Sequence, residues 1–360
     1  MASLQTLWQD RRAWLLDAAL PLWSSAGVDP AGGFHNRLDD RAQPLVEPKR
    51  LRVQARQVVV YAQAQRLGWN GPWRAMIDEG LRFIRIHAGP DGLLPSLYDG
   101  GQAWDLNVYD QAFVLLALAH ARSVLGDPAL ERDAEKLFGT LVTRFGRADG
   151  GFNENAGQTP LRANPNMHLF EAMLAWQWRD AADALRRLAL GTFIDPATGF
   201  LREYFTDGGK AVTGQKTDVE PGHMFEWGSL LLMSGASEAE AERLIRKATL
   251  TGVDRTREAA VNSLYIDGTV ADGEARLWVQ TERLRATLLM AERGQDRAYW
   301  LSEAFAGEAA LRRYLDVPHP GSWRDTMRAD GTIPPDPAMA SSLYHIMGAY
   351  LALKHAAETL

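Results

Sequence analysis

The stretch Asp29-Pro-Ala-Gly-Gly-Phe34 returns, in altered form, five more times along the chain. The variants are Pro90-Asp-Gly-Leu-Leu94, Ala148-Asp-Gly-Gly-Phe152, Asp195-Pro-Ala-Thr-Gly-Phe200, Tyr265-Ile-Asp-Gly-Thr269 and Arg328-Ala-Asp-Gly-Thr-Ile333. Each joins a turn residue, one or two glycines and a short apolar or aromatic stretch, the chemistry of a tight turn leading into a strand. With Gly33, Gly92, Gly151, Gly199, Gly268 and Gly331 as markers, the spacings are 59, 59, 48, 69 and 63 residues. One Asp-Gly turn carries no information, but six in phase mark a repeated unit.

Between the turns, apolar residues recur at three- and four-residue spacing, the period of amphipathic helices. The pattern predicts helices near 4–25, 49–67, 70–87, 105–125, 127–145, 165–177, 179–191, 222–234, 236–250, 275–293, 296–314 and 338–357. Asp127-Pro128 is a start signal, a capping acid followed by proline. Twelve helices in pairs, each pair followed by a turn and short strand, predict an all-α (α/α)6 barrel with short β loops at one mouth. No linker interrupts the pattern, so residues 1–360 read as one catalytic domain. The second helix of each pair is expected inside: 49–67, 105–125, 165–177, 222–234, 275–293 and 338–357.

Composition narrows the function. Lys plus Arg is 39 against 45 Asp plus Glu, a net charge of −6, and no basic block is present. Nucleic acid and anionic membrane are therefore not expected as partners. With 0 Cys, disulfides, thiolate metal sites and a cysteine nucleophile are excluded. No apolar run reaches the roughly 18 residues of a membrane span. Asp10, Arg11, Arg12 and Asp17 interrupt the first apolar segment, which reads as a helix rather than a signal peptide, so a cytoplasmic location is expected.

Polar chemistry gathers on the predicted inner helices. Three of the eight histidines lie near their starts, in Asn164-Pro-Asn-Met-His168-Leu-Phe-Glu171, Glu220-Pro-Gly-His223-Met-Phe-Glu226-Trp227 and Ser341-Ser-Leu-Tyr-His345. The spacing of His168 to Glu171 and of His223 to Glu226 places each pair on one helix face. A carboxylate beside an imidazole fixes its tautomer and raises its basicity, as acid–base catalysis requires. Arg56 stands in the apolar run Val53 to Ala62, where a cation needs a partner or a function. Tyr109 is a candidate hydrogen-bond donor to substrate, and Trp227, Trp278 and Trp323 are candidate walls for a sugar face.

Two signals fail. Gly209-Lys-Ala-Val-Thr-Gly214-Gln215-Lys216-Thr217 resembles a phosphate loop, but Gln215 stands where lysine is needed. The His-x-x-Glu pairs with His345 have ligand types a bundle can use for a metal, yet no third compact acidic cluster joins them, and neither metal nor cofactor is expected.

At these residues the chain resembles the N-acylglucosamine 2-epimerase superfamily, which includes mannose isomerases, sulfoquinovose isomerase and cellobiose 2-epimerases. The matching segments are Val53-Gln-Ala-Arg56-Gln57, Tyr109-Asp-Gln-Ala-Phe113, Asn166-Met-His168-Leu-Phe-Glu171-Ala172, Glu220-Pro-Gly-His223-Met-Phe-Glu226-Trp227 and Ser341-Ser-Leu-Tyr-His345. The resemblance implies an (α/α)6 barrel and metal-independent chemistry at C1 and C2 of a reducing sugar. It implies that His345 and His223 are the acid–base pair, that Arg56 and His168 contact substrate oxygens, and that Glu226 and Glu171 support the imidazoles. A nucleotide requirement is not carried over, because no nucleotide-binding segment is present. The expected partner is a small monosaccharide; lacking a compact Lys/Arg cluster for a phosphate, the substrate is expected to be an unphosphorylated aldose such as mannose. The oligomeric state is open, as is isomerisation against 2-epimerisation. A glycoside hydrolase would draw on Glu171, Glu226, Asp149 or Glu154 as paired acids; acids set three residues after histidines favour the isomerase class. A sugar-binding scaffold without catalysis is the third class.

Overall fold

The computed structural model describes residues 3–155, 158–206, 208–214 and 218–360. Positions 215–217 of the rejected phosphate-loop stretch lie outside the described residues, as do residues 1 and 2.

Among the described residues the helices follow the predicted pairs. α1 (Leu4–Ala13) runs through a π-helical turn (Trp14–Ala19) into α2 (Leu20–Trp23), and the pair is completed by α3 (Leu51–Arg66). Then come α4 (Trp73–His87) with α5 (Val108–Leu125), α6 (Ala129–Phe145) with α7 (Ala163–Trp176), and α8 (Arg179–Leu188) with α9 (Pro221–Ser234). α10 (Glu238–Gly252) with α11 (Leu277–Arg293) and α12 (Arg297–Leu315) with α13 (Ala340–Thr359) complete the series. The inner ring is α3, α5, α7, α9, α11 and α13, and α13 packs back on α3 to close it.

Burial explains the arrangement. On α9 every residue from Pro221 to Leu232 is buried, as expected for a helix with neighbours all round. The outer α6 buries one stripe, Leu130, Ala134, Leu137, Leu141 and Phe145, against the ring. Each of its large side chains contributes about 1.5–3 kcal/mol by leaving water.

Short strands gather at the N-terminal ends of the inner helices. Arg37 and Leu38 pair antiparallel with Met339 and Ala338, joining the first unit to the last. Ala275 and Arg276 pair with Met327 and Thr326 in the same way.

The repeated turns are held by a repeated device. In four of the six inner helices the fourth residue is an amide that grips an extended residue beside it through both backbone groups. Gln54 accepts from Phe34 N at 2.7 Å and donates to Phe34 O at 2.9 Å. Gln111 does the same to Leu94 (3.1 and 2.7 Å), Asn166 to Phe152 (2.8 and 3.0 Å) and Gln280 to Ala260 (2.8 and 2.8 Å). Gly33 is required at its turn: its φ is +77°, and a Cβ would meet Gln54 Oε1 at 2.5 Å. At Gly33 the turn glycine and the helix amide are therefore one unit, and it fixes how the chain enters its helix.

Candidate active site

The first turns of the six inner helices surround one open cavity of about 270 Å³. Arg56, Tyr109, His168, His223, Glu226 and His345 all line it, together with Arg52, Asn164, Glu220, Arg276, Trp278 and Ser342. The positive ends of the helix dipoles point at this mouth, a setting that favours negative charge developing on a ligand.

All three histidines are anchored through Nδ1 to a glutamate, which leaves Nε2 as the nitrogen available to substrate. His168 Nδ1 lies 3.3 Å from Glu171 Oε2, the i to i+3 pair expected. His223 Nδ1 instead meets Glu203 Oε1 at 2.9 Å, with Glu220 Oε2 at 3.6 Å. His345 Nδ1 meets Glu282 Oε1 at 2.8 Å.

The pairing of His223 with Glu226 is thus corrected. Glu226 turns into the ring and lies 3.9 Å from His168, while its Oε1 has no hydrogen-bond partner among the described residues. Equal spacing does not give equal pairing, because Glu203, just ahead of the short strand Tyr204–Phe205, reaches His223 first. Glu171 sits below the cavity rather than on its wall and also accepts a hydrogen bond from the Tyr344 hydroxyl.

Trp227 is also corrected. It is fully buried, stacked on Phe170 with ring centroids 5.5 Å apart, and belongs to the core. Trp323 is likewise core, stacked on Trp23 at 4.8 Å. Trp278 is the cavity's indole, 5.2 Å from the His223 ring and 5.6 Å from that of His345. Gly222 makes room for it, since a Cβ there would meet the Trp278 ring at 2.4 Å. The Pro-Gly-His run therefore combines a helix-starting proline, space for the indole, and the imidazole. Asp149 lies in a surface turn, held by Arg147 at 3.0 Å, apart from the cavity.

Among the described residues Arg56 has no carboxylate partner. Its Nη2 donates to Tyr109 Oη at 2.9 Å, and its guanidinium lies 4.1 Å over the Phe113 ring and 5.2 Å from that of Tyr344. A cation held by aromatic faces stays available to a ligand oxygen.

The two flanking imidazoles are in opposite charge states. Burial works against a charge on His223, but Glu203 and Glu220 outweigh it and lift its pKa to about 10. Burial and the charge of Arg56 hold His345 well below the ordinary histidine range, so it stays neutral. His168 is lowered to about 4 by burial, against the pull of Glu171. Neutral His168 donates Nδ1–H to the Glu171 carboxylate. Burial opposes that charge, but His168, Arg285 and Tyr344 hold Glu171 down at about 2. Glu226 is pushed well up by burial and by Glu282 and Glu171, and so keeps its proton.

Beneath the imidazoles Arg285 is the buried counter-charge, with Nη1 3.4 Å from Glu282 Oε2. Two groups could take up a divalent cation, His168 with Glu171 and Glu226, and Glu226 with Glu282 and His345. Apart from Glu226 each member already has an internal partner, and Arg285 among them opposes entry of a second cation.

Glu203, Glu220, Glu282 and Arg285 were not singled out from sequence. Glu282 and Arg285 carried a usable signal, an i, i+3 ion pair inside a helix buried on all sides; Glu203 carried none.

Residues 32–349 match the N-acylglucosamine 2-epimerase family. The chain belongs to that family. It is 39% identical to a mannose-6-phosphate isomerase of Rhizobium meliloti over 95% of each protein. Its fold superposes on a D-mannose isomerase crystal structure with TM-score 0.89 and 20% identity, covering 98% of both chains. It superposes on cellobiose 2-epimerase from Spirochaeta thermophila with TM-score 0.86 and 20% identity, covering 99% of this chain and 98% of the other. The (α/α)6 barrel is thereby established, and the family member is an enzyme of the sugar isomerase and epimerase class. No helix among the described residues is long and apolar enough to cross a membrane.

Proposed function

We propose that this family member is an aldose–ketose isomerase that moves hydrogen between C1 and C2 of a hexose, with D-mannose and fructose as the pair. The observation that carries the reading is the placement of His345 and His223 on either side of one indole, each held through Nδ1 by its own glutamate.

In this reading the sugar opens its ring in the cavity, and neutral His345 removes the C2 proton through Nε2. The electron pair moves into a C1–C2 double bond while the carbonyl oxygen O1 takes a proton from the His223 imidazolium. The resulting enediol is held through O2 by Arg56, whose charge stabilises its anionic form. His345 returns its proton to C1, the O2 proton goes to His223, and the 2-ketose is formed. The protein's own groups supply base, acid and cation, so proton transfer needs no further reagent. Arg52 and Arg276 on the wall are paired with Asp110 at 3.3 Å and Asp325 at 3.2 Å, which leaves the catalytic cavity suited to a neutral sugar.

A second reading, 2-epimerisation, is favoured by the same acid. If His223 rather than His345 protonates C2, and from the other face, the product is the epimer. Proton NMR of D-mannose in D₂O with EDTA-treated enzyme separates the two. Fructose as main product supports the isomerase; glucose deuterated at C2 supports the epimerase. Mannose left unchanged, or activity lost to EDTA and restored by a metal, overturns the proposal.

A further inference from the structure

Beside the catalytic cavity lies a second one of about 290 Å³, lined by Arg52, Asn107, Tyr109, Glu154, Arg162, Asn164 and Pro165. Arg52, Tyr109 and Asn164 line both, so the two spaces share a wall. Three polar atoms at the side cavity, Arg162 Nε, Glu154 Oε2 and Asn164 Oδ1, are buried without a hydrogen-bond partner among the described residues. Folded proteins leave few such atoms, and each calls for an explanation.

Arg162 is the strongest of the three. Its guanidinium makes no hydrogen bond or ion pair among the described residues and rests 5.1 Å over the Tyr204 ring. Every other arginine bordering these cavities has a partner: Arg52 has Asp110, Arg276 has Asp325 and Arg56 has Tyr109. Two helix N-termini open onto the same space, α5 through Asn107 and Tyr109 and α7 through Asn164 and Pro165. Oriented backbone N–H groups together with a guanidinium form an anion-binding arrangement.

Resting on the isomerase reading, we infer that the side cavity is a subsite for an anionic phosphate group carried at the far end of the sugar, with Arg162 as its ligand. Glu154, 91% removed from solvent, lies on the same wall, and burial raises its carboxyl above the usual range. The expectation of an unphosphorylated substrate rested on the lack of a compact basic cluster in the sequence; the fold instead places one guanidinium without a hydrogen-bond or ion-pair partner among the described residues, Arg162, at a cavity that shares a wall with the catalytic one. Mannose and mannose 6-phosphate are then both substrates, and the phosphate adds binding energy at a place distant from the chemistry.

The test compares the two sugars on wild type, Arg162→Gln and Arg162→Lys, because the ratio of kcat/KM values is insensitive to the fraction of folded enzyme. Wild type is expected to favour mannose 6-phosphate about 10–100-fold. Arg162→Gln is expected to remove most of that preference and Arg162→Lys to restore part of it. Equal kcat/KM for the two sugars in wild type, or a loss that Arg162→Gln imposes equally on both, overturns the subsite. Inorganic phosphate supplies a readout that does not depend on the reaction. If neither sugar turns over, the isomerase reading fails alone, and thermal stabilisation by phosphate of wild type but not of Arg162→Gln still supports the subsite. No stabilisation of either protein overturns it.

Discussion

His345 Nδ1 and Glu282 Oε1 meet at 2.8 Å across adjacent inner helices, 63 residues apart in the chain. The contact sets the tautomer of His345 and so decides which nitrogen faces the cavity. Glu203 does the same for His223 from just ahead of a short strand.

Glu282→Gln keeps the shape of that contact and an oxygen to accept from Nδ1–H, but removes the carboxylate charge that raises the basicity of the imidazole. Glu282 is a positioning residue, so the expected result is a fall in kcat of about 10²–10⁴, the worth of a general base, with KM little changed. Steady-state kinetics on mannose check it. A KM effect without a kcat effect would remove Glu282 from its role.

The charge of His223 gives a pH dependence with a definite sign. Its folded pKa is raised from 6.5 to about 10, so the imidazolium and the stability it contributes are complete below about 6.5 and are lost as pH rises through about 10. His345 is lowered and stays neutral into the acid range. The kcat/KM profile is expected to be flat around neutrality and to fall on an alkaline limb. Glu203→Gln removes the largest stabilising charge and should move that limb down by about one pH unit or more. An unmoved limb assigns it to another group.

Trp227 and Trp278 separate packing from binding. Trp227→Ala should cost about 3–5 kcal/mol of stability in chemical denaturation, as a large cavity opens beneath Phe170. Trp278→Ala should change stability less and raise KM, since its ring borders the cavity. The reverse pattern would return Trp227 to the substrate wall.

The amide grip on the turns is testable at Gln280. Its replacement by alanine strands the backbone N–H and C=O of Ala260, held at 2.8 Å each. A loss of about 2–4 kcal/mol in urea unfolding is expected, because two buried backbone groups lose their partners. A change under half a kilocalorie would mean that the strand keeps its place by packing alone.

Helices and turns were legible because they are local. Period and punctuation reveal where a helix starts and which residues open an inner one, and those openings placed Arg56, Tyr109, His168, His223, Glu226 and His345 at one mouth. Contacts within a helical turn were legible in part: His168 does pair with Glu171, three residues on. The same rule failed for His223 and Glu226, because Glu203 competes for Nδ1. Trp227 failed for a related reason. Its neighbours His223 and Glu226 reach the cavity, but at 100° per residue the next position turns toward Phe170 and the core.

The repeat, the helix order, the ring closure and the family were thus determined by the sequence alone, since each rests on spacing along one chain. Which glutamate holds which imidazole, and which imidazole carries the charge, only the tertiary structure decided. Those depend on distances between segments 20 to 173 positions apart, as from His223 to Glu203 and from Tyr344 to Glu171. They depend equally on how deeply each carboxylate is buried. Neither quantity is written in local pattern, because Coulomb energy and desolvation act through space.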